Sequence, residues 1–230
     1  MFQGFSDATI DFMWGIRFNN ERSWFQAHKE DYVNCFYEPM KDLNAELYQR
    51  MCQAYPRQTF LSKVSRIYRD ARRLHGRGPY KDHLWLSLQG PVERWTDTPV
   101  FWFELSPESW SYGLGVYCAQ AVTAAKLRAR MDADPKPMEK LTRLLNGQTE
   151  FVLDGPEYAK AKTPSTPLLA QWYQKKSYDL IHREPNSAVL YDRGLVERIF
   201  TGWQFLMPFY AYLSTVPGDP DPRDAGGIKI

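Results

Sequence analysis

Residues 100–118 read VFWFELSPESWSYGLGVYC, two runs rich in aromatic residues on either side of a Ser-Pro-Glu-Ser break. Such runs, bounded by turn formers, read as two successive antiparallel strands, Val100 to Leu105 and Ser111 to Cys118. Upstream, FLSKVSRIYRD (60–70) and HLWLSLQ (83–89) show the same alternation, so strands are expected from Thr59 to Asp70 and from Leu84 to Gln89. Shorter candidates follow at Glu150 to Leu153 and Tyr178 to His182.

On both sides of this block the period changes to that of a helix. Ser6 is placed to cap a helix carrying Ile10, Met13 and Trp14, and Asn20 with Glu21 marks a second start before Trp24, Phe25 and His28. Tyr32, Phe36, Met40, Leu43, Leu47 and Met51 then form one long apolar stripe, with Pro39 predicting a kink or a fresh start near Glu38. Helical spacing returns at Ala121 to Met131, at Pro137 to Leu145 and near Pro167 to Lys175. In the closing helix, Gly194 to Leu213, Leu195, Ile199, Trp203, Leu206, Tyr210 and Leu213 make a seam suited to packing on the sheet. Strands in the middle with helices at both ends predict an α+β fold, an antiparallel sheet packed against N-terminal and C-terminal helices. No repeat or linker marks a division, so one domain is expected over 1–216, followed by a flexible Pro- and Gly-rich tail over 217–230.

With 230 residues, 43% of them hydrophobic and 15% aromatic, the chain has ample material for a core. No apolar run approaches the roughly 18 residues of a membrane span. Asp7 and Asp11 interrupt the stretch that a signal peptide keeps apolar. Cys35, Cys52 and Cys118 form neither a CxxC pair nor an even framework. Together these features predict a cytoplasmic protein with reduced thiols and no membrane partner.

The charge is unevenly spread. Net charge is +2, yet the stretch from Lys63 to His83 holds seven cations (Lys63, Arg66, Arg69, Arg72, Arg73, Arg77, Lys81) against Asp70 and Asp82. Cations crowded together repel unless acids or an anionic ligand compensate them. Within RIYRDARRLHGRGPYKDH (66–83), strand alternation puts Arg66, Tyr68 and Asp70 on one side and Ile67 and Arg69 on the other. Gly76, Gly78 and Pro79 then turn the chain back, returning Tyr80, Lys81 and His83 towards the strand they left. Guanidinium groups hold carboxylate or phosphate through paired hydrogen bonds, lysine adds a point charge, and tyrosine donates or stacks. The candidate ligand-binding residues are therefore Arg66, Tyr68, Arg69, Arg72, Tyr80 and Lys81. His83 is the candidate acid or base, because imidazoles titrate near neutrality, and Asp70 is the candidate partner that orients it or a guanidinium.

These motifs resemble a bacterial family, domain of unknown function 2461, across nearly the whole chain. Asn19, Asn20, Arg22, Trp24 and Phe25 match its N-N-x-R-x-W-F segment. Arg66, Ile67, Tyr68, Arg69, Asp70 and Arg72, followed by Pro79, Tyr80, Lys81 and His83, match its R-I-Y-R-D-x-R block and its P-Y-K-x-H ending. KKSYDLIHREP (175–185) and the closing helix are similar to it as well. The turn departs from the family pattern, with Arg73, Leu74, His75, Gly76, Arg77 and Gly78 in place of an aromatic and a Lys-rich stretch. The resemblance implies an α+β fold and carries no established activity.

Three functions compete. The first is binding of a phosphate- or carboxylate-bearing small ligand at the cationic corner, with or without catalysis. The second is a non-enzymatic module docking an acidic protein partner through the same arginines. Nucleic-acid binding ranks third, since a pI near 8.3 lies below the strongly basic range. A purely internal ion-pair network would remove the site altogether. His28, His75, His83 and His182 show no metal-ligand spacing and no metal is expected, no nucleophile elbow or P-loop is present, and the sequence leaves any cofactor unknown.

Overall fold

The structure, a computed structural model, describes residues 1–70, 72, 76–91, 96–116 and 119–224. Its six strands are hydrogen-bonded in the order β1-β2-β3-β4-β6-β5: β1 Leu61–Val64, β2 Leu84–Gln89, β3 Val100–Leu105, β4 Ser109–Val116, β5 Val152–Asp154 and β6 Tyr178–Pro185. With the flanking helices this antiparallel sheet makes the expected α+β fold. No described helix is long and apolar enough to cross a membrane. The expected strand end at Cys118 and the turn residues Arg73, Leu74 and His75 lie outside the described residues.

The described residues fall into two compact units. The first takes Met1–Leu88, Trp102–Tyr112 and Arg183–Thr201. Here α1 (Asp7–Phe18) ends at Asn19, whose side-chain amide and backbone N–H both donate to the Gly15 carbonyl at 3.0 Å. After α2 (Arg22–Ala27) and the single turn α3 (Lys29–Asp31), Tyr32–Tyr37 is wound as a π-helix, and α4 (Glu38–Ala54) starts afresh as Pro39 requires. Proline has no N–H to return to the carbonyl four residues earlier, that of Cys35, and the Thr9 hydroxyl of α1 donates to it instead. The apolar stripe through Phe36, Met40, Leu43, Leu47 and Met51 is fully buried. The strand expected from Thr59 to Asp70 is shorter. At its break the buried Ser65 accepts from the Trp85 N–H through its hydroxyl (3.0 Å) while its own N–H donates to the Trp85 carbonyl (2.8 Å), so a side chain replaces one rung of the ladder.

The second unit takes the described residues of Gln89–Phe101, Gly113–His182 and Gly202–Ile230. Strand β5 pairs antiparallel with β6, Val152 opposite Ile181 and Asp154 opposite Asp179. Gly113 lets β4 approach β6 closely, because a Cβ there would run into the Leu180 carbonyl. Helices α5 (Ala121–Ala133) and α6 (Lys136–Asn146) match the sequence pattern, and the segment near Pro167 becomes a 3₁₀ turn leading into α7 (Ala170–Tyr173). The seam of α8 (Gly194–Ser214) is buried along its length. In this unit Phe101 packs on Trp203 and Tyr210, with ring centroids 5.4 and 5.1 Å away. Beyond α8, Arg130 grips Asp219 through two bonds of 2.6 Å and Lys126 donates to the Pro217 carbonyl. The last residues, 225–230, lie outside the described residues.

Candidate functional site

The cationic corner belongs to the first unit and is held by its backbone. Tyr68 and Tyr80 form an isolated antiparallel bridge, with Arg69 N–H donating to the Pro79 carbonyl (2.8 Å) and Lys81 N–H to the Ile67 carbonyl (2.7 Å). Asn20 behaves like a further strand rather than the helix cap its position suggests. Its Oδ1 accepts from the Tyr80 N–H at 2.9 Å and its Nδ2 donates to the Tyr80 carbonyl at 3.0 Å. Gly78 passes so close to this amide that a Cβ would overlap it. The two separated motifs of the sequence, N-N-x-R-x-W-F and G-P-Y-K, are thus a side-chain clamp and the loop that it grips. Phe25 completes the joint, its ring 4.3 Å from that of the buried Tyr80.

The expected alternation survives beyond the end of β1. Ile67 is buried, Arg69 half-buried, and Arg66 and Tyr68 exposed. The acids then divide the cations into two classes. Asp70 chelates the exposed Arg72 through its backbone N–H, Nε and Nη2. His83 is held instead by Asp82, to which its Nδ1–H donates at 2.9 Å. Asp82 also accepts from Arg17 Nε at 2.6 Å, while Arg17 reaches Glu108 with its other nitrogens. Hydrogen bonding to His83 and then to Arg17 holds the Asp82 carboxyl far below the usual carboxylate range, against the opposing effect of burial. Bonding to Glu108, and then to Asp82, pushes the Arg17 guanidinium up. Asp82, Arg17, Glu108 and His83 form one ion-pair network, and Asp70 separately takes the exposed Arg72.

Neither absorbs the rest of the cations. Arg69 donates Nε to the Tyr80 carbonyl at 2.8 Å and stands 3.9 Å from Asp82, the outer limit of an ion pair. Among the described residues Lys63, Arg66 and Lys81 have no carboxylate within ion-pair distance. The ammonium groups of Lys63 and Lys81 lie 5.6 and 5.8 Å from the centroid of the Trp85 ring that they share. Burial first, and then the charges of Arg69, Arg66 and Lys63, bring the Lys81 ammonium down to about 8, against the opposing charge of Glu104. Sequence reasoning names Lys81 as a ligand-binding candidate and His83 as the acid or base, and it does not single out Arg17, Glu108 or Glu104. No local pattern signals a partner 65 positions away, as Arg17 is from Asp82.

The histidines, cysteines and acids among the described residues form no group able to hold a metal ion. Cys35 and Cys52 are free and half-buried, and Cys118 lies outside the described residues. Compared with protein families, residues 8–212 match the sequence model of a family described as conserved hypothetical protein (DUF2461). No curated protein matches the chain.

Proposed function

We propose, from the premise that this chain belongs to the DUF2461 family, that its cationic corner binds a small ligand bearing a phosphate or carboxylate group. One observation carries the reading: among the described residues Lys63, Arg66 and Lys81 sit together without a carboxylate in ion-pair reach, although Asp70 and Asp82 lie in the same hairpin and are committed to other partners. A half-buried ammonium depressed to about 8 by burial first and then by its cationic neighbours is in an unfavourable electrostatic position that a bound anion relieves. Arg66, whose charge acts on Lys81, supplies a donor fork beside it. Proton transfer at this corner, if the bound ligand reacts, falls to Lys81 and to His83 on its Asp82 support.

Thermal shift against phosphorylated and carboxylated small molecules tests the reading. A binding ligand raises Tm for the wild type and loses most of that shift in Arg66→Ala, which removes no hydrogen bond to the described residues. Binding needs the ammonium form, so the shift shrinks as pH rises through about 8, the value for Lys81. Equal shifts in wild type, Arg66→Ala and Lys81→Met exclude the corner. Capture of an acidic protein, lost at moderate salt and without any small-molecule shift, would favour the docking module instead.

A further inference from the structure

The second unit holds another uncompensated cluster, independent of the corner and built from residues scattered through the sequence. Tyr158 is surrounded by three cations: Arg128 Cζ at 5.1 Å from its ring centroid, Lys162 Nζ at 5.1 Å and Lys176 Nζ at 5.7 Å. Among the described residues none of the three makes an ion pair. The nearby acids are engaged elsewhere: Glu157 pairs with Lys175 at 2.9 Å, Asp132 accepts from the Tyr173 hydroxyl, and Asp179 faces Asp154 across the β5–β6 ladder.

Two buried donors belong to the same cluster. Arg128 Nη1 is shut off from solvent without a hydrogen-bond partner, and so is the hydroxyl of Tyr178, a residue only 2% exposed. Burial pushes the Tyr178 phenol up, and the Arg128 charge is near enough to oppose it. A third orphan, Thr166 Oγ1, follows Ser165, whose hydroxyl donates to the Met131 carbonyl about one turn along α5 from Arg128. Buried donors left unpaired are rare in folded proteins and call for a missing acceptor.

The local backbone is arranged to keep the ring and the lysines in place. Tyr158 N–H donates to the Gln174 carbonyl at 2.8 Å and Lys176 N–H to the Pro156 carbonyl at 2.7 Å, on either side of the Glu157–Lys175 bridge. The Gln174 side chain accepts from Lys162 N–H at 3.2 Å and donates to the Lys162 carbonyl at 2.8 Å. Two exposed ammonium groups and two buried donors therefore converge on one aromatic ring.

We infer that Arg128, Tyr158, Lys162, Lys176 and Tyr178 form a second anion site that accepts a dianionic phosphoryl group. The guanidinium and the phenol supply directed hydrogen bonds from a poorly solvated environment, where charge-assisted bonds are strongest. The lysines supply the balancing charge, and the Tyr158 face offers a stacking surface to any ring attached to the phosphate.

Isothermal titration of the full chain with inorganic phosphate and with phenyl phosphate, at fixed ionic strength, tests this. Both are expected to bind to wild type and to Lys81→Met, a substitution confined to the corner. In the Lys81→Met background, where the corner is disabled, Tyr178→Phe is expected to weaken binding about tenfold, and Arg128→Met to abolish it. Tighter binding of phenyl phosphate identifies a phosphorylated small molecule as the ligand, and equal binding identifies free phosphate. In phosphate-free buffer Tyr178→Phe should melt no lower than wild type, because the hydroxyl it removes has no partner. The inference is overturned by a fall in Tm for Tyr178→Phe in that buffer, by undiminished binding in both variants, or by no binding to wild type, the orphaned donors then holding water. Binding lost in Lys81→Met but kept in Arg128→Met would locate the phosphate at the corner and overturn this site alone.

Discussion

The protein contains two basic regions that differ in how they were assembled. The corner of the first unit is continuous in sequence, Lys63 to His83, and its own acids neutralise much of it: Asp70 takes Arg72, and Asp82 takes Arg17 and His83. Among the described residues Lys63, Arg66 and Lys81 have no carboxylate in ion-pair distance, and the two lysines flank Trp85. The cluster of the second unit brings together residues 128, 158, 162, 176 and 178, and no acid neutralises its three cations among the described residues. Density of charge along a chain locates crowding. Whether a charge is available depends on which carboxylates the fold brings beside it.

Both regions also use a side-chain amide as a substitute strand, Asn20 on Tyr80 and Gln174 on Lys162. Substitutions can separate what each contributes. Gly78→Ala drives a methyl group into the Asn20 amide and should cost about 3 kcal/mol in chemical denaturation, since both clamp bonds must break or the loop must move. A loss below about 1 kcal/mol would mean that the loop yields easily and that the corner is not rigidly built.

Asp179 tests the other region. Burial first, and then Asp154 opposite, raise its carboxyl to about 6. The folded state therefore holds this proton more tightly than the unfolded chain, and stability contributed by Asp179 is present at pH 4 and lost as pH rises through about 6. Asp179→Asn should gain roughly 2 kcal/mol at pH 7 and almost nothing near pH 4. A gain independent of pH would show that the carboxylate is compensated in the folded state.

The smallest effect is the difference between the two clamps. Asn20→Ala exposes a partly buried Tyr80 N–H without a partner, whereas Arg69 still serves the carbonyl, for a cost of about 1–2 kcal/mol. Gln174→Ala breaks bonds that water can replace and should cost at most about 0.5 kcal/mol. Equal costs in urea titrations would contradict the different burial of the two amides.

Much of the architecture was legible because periodicity reports burial directly. The alternation in HLWLSLQ and VFWFELS places β2 and β3, and the stripe from Phe36 to Met51 and the α8 seam are buried residue for residue. Pro39 announced the break that the π-helical turn accommodates. The shortening of the first strand was not legible, since Ser65 alternates as a strand residue should and only its hydroxyl bond to Trp85 interrupts the ladder.

The sequence by itself determined the α+β class, the cationic hairpin with its glycine-proline turn, and the candidates Arg66, Arg69 and Lys81, because these depend on local period, turn chemistry and composition. Only the tertiary structure decided that Asp82 rather than Asp70 holds His83, that Asn20 clamps Tyr80, and that Arg128 and Tyr178 keep unpaired donors beside Tyr158. Hydrogen bonds and ion pairs act over a few ångströms of space, and residues far apart along the chain reach that separation only after the backbone has been placed.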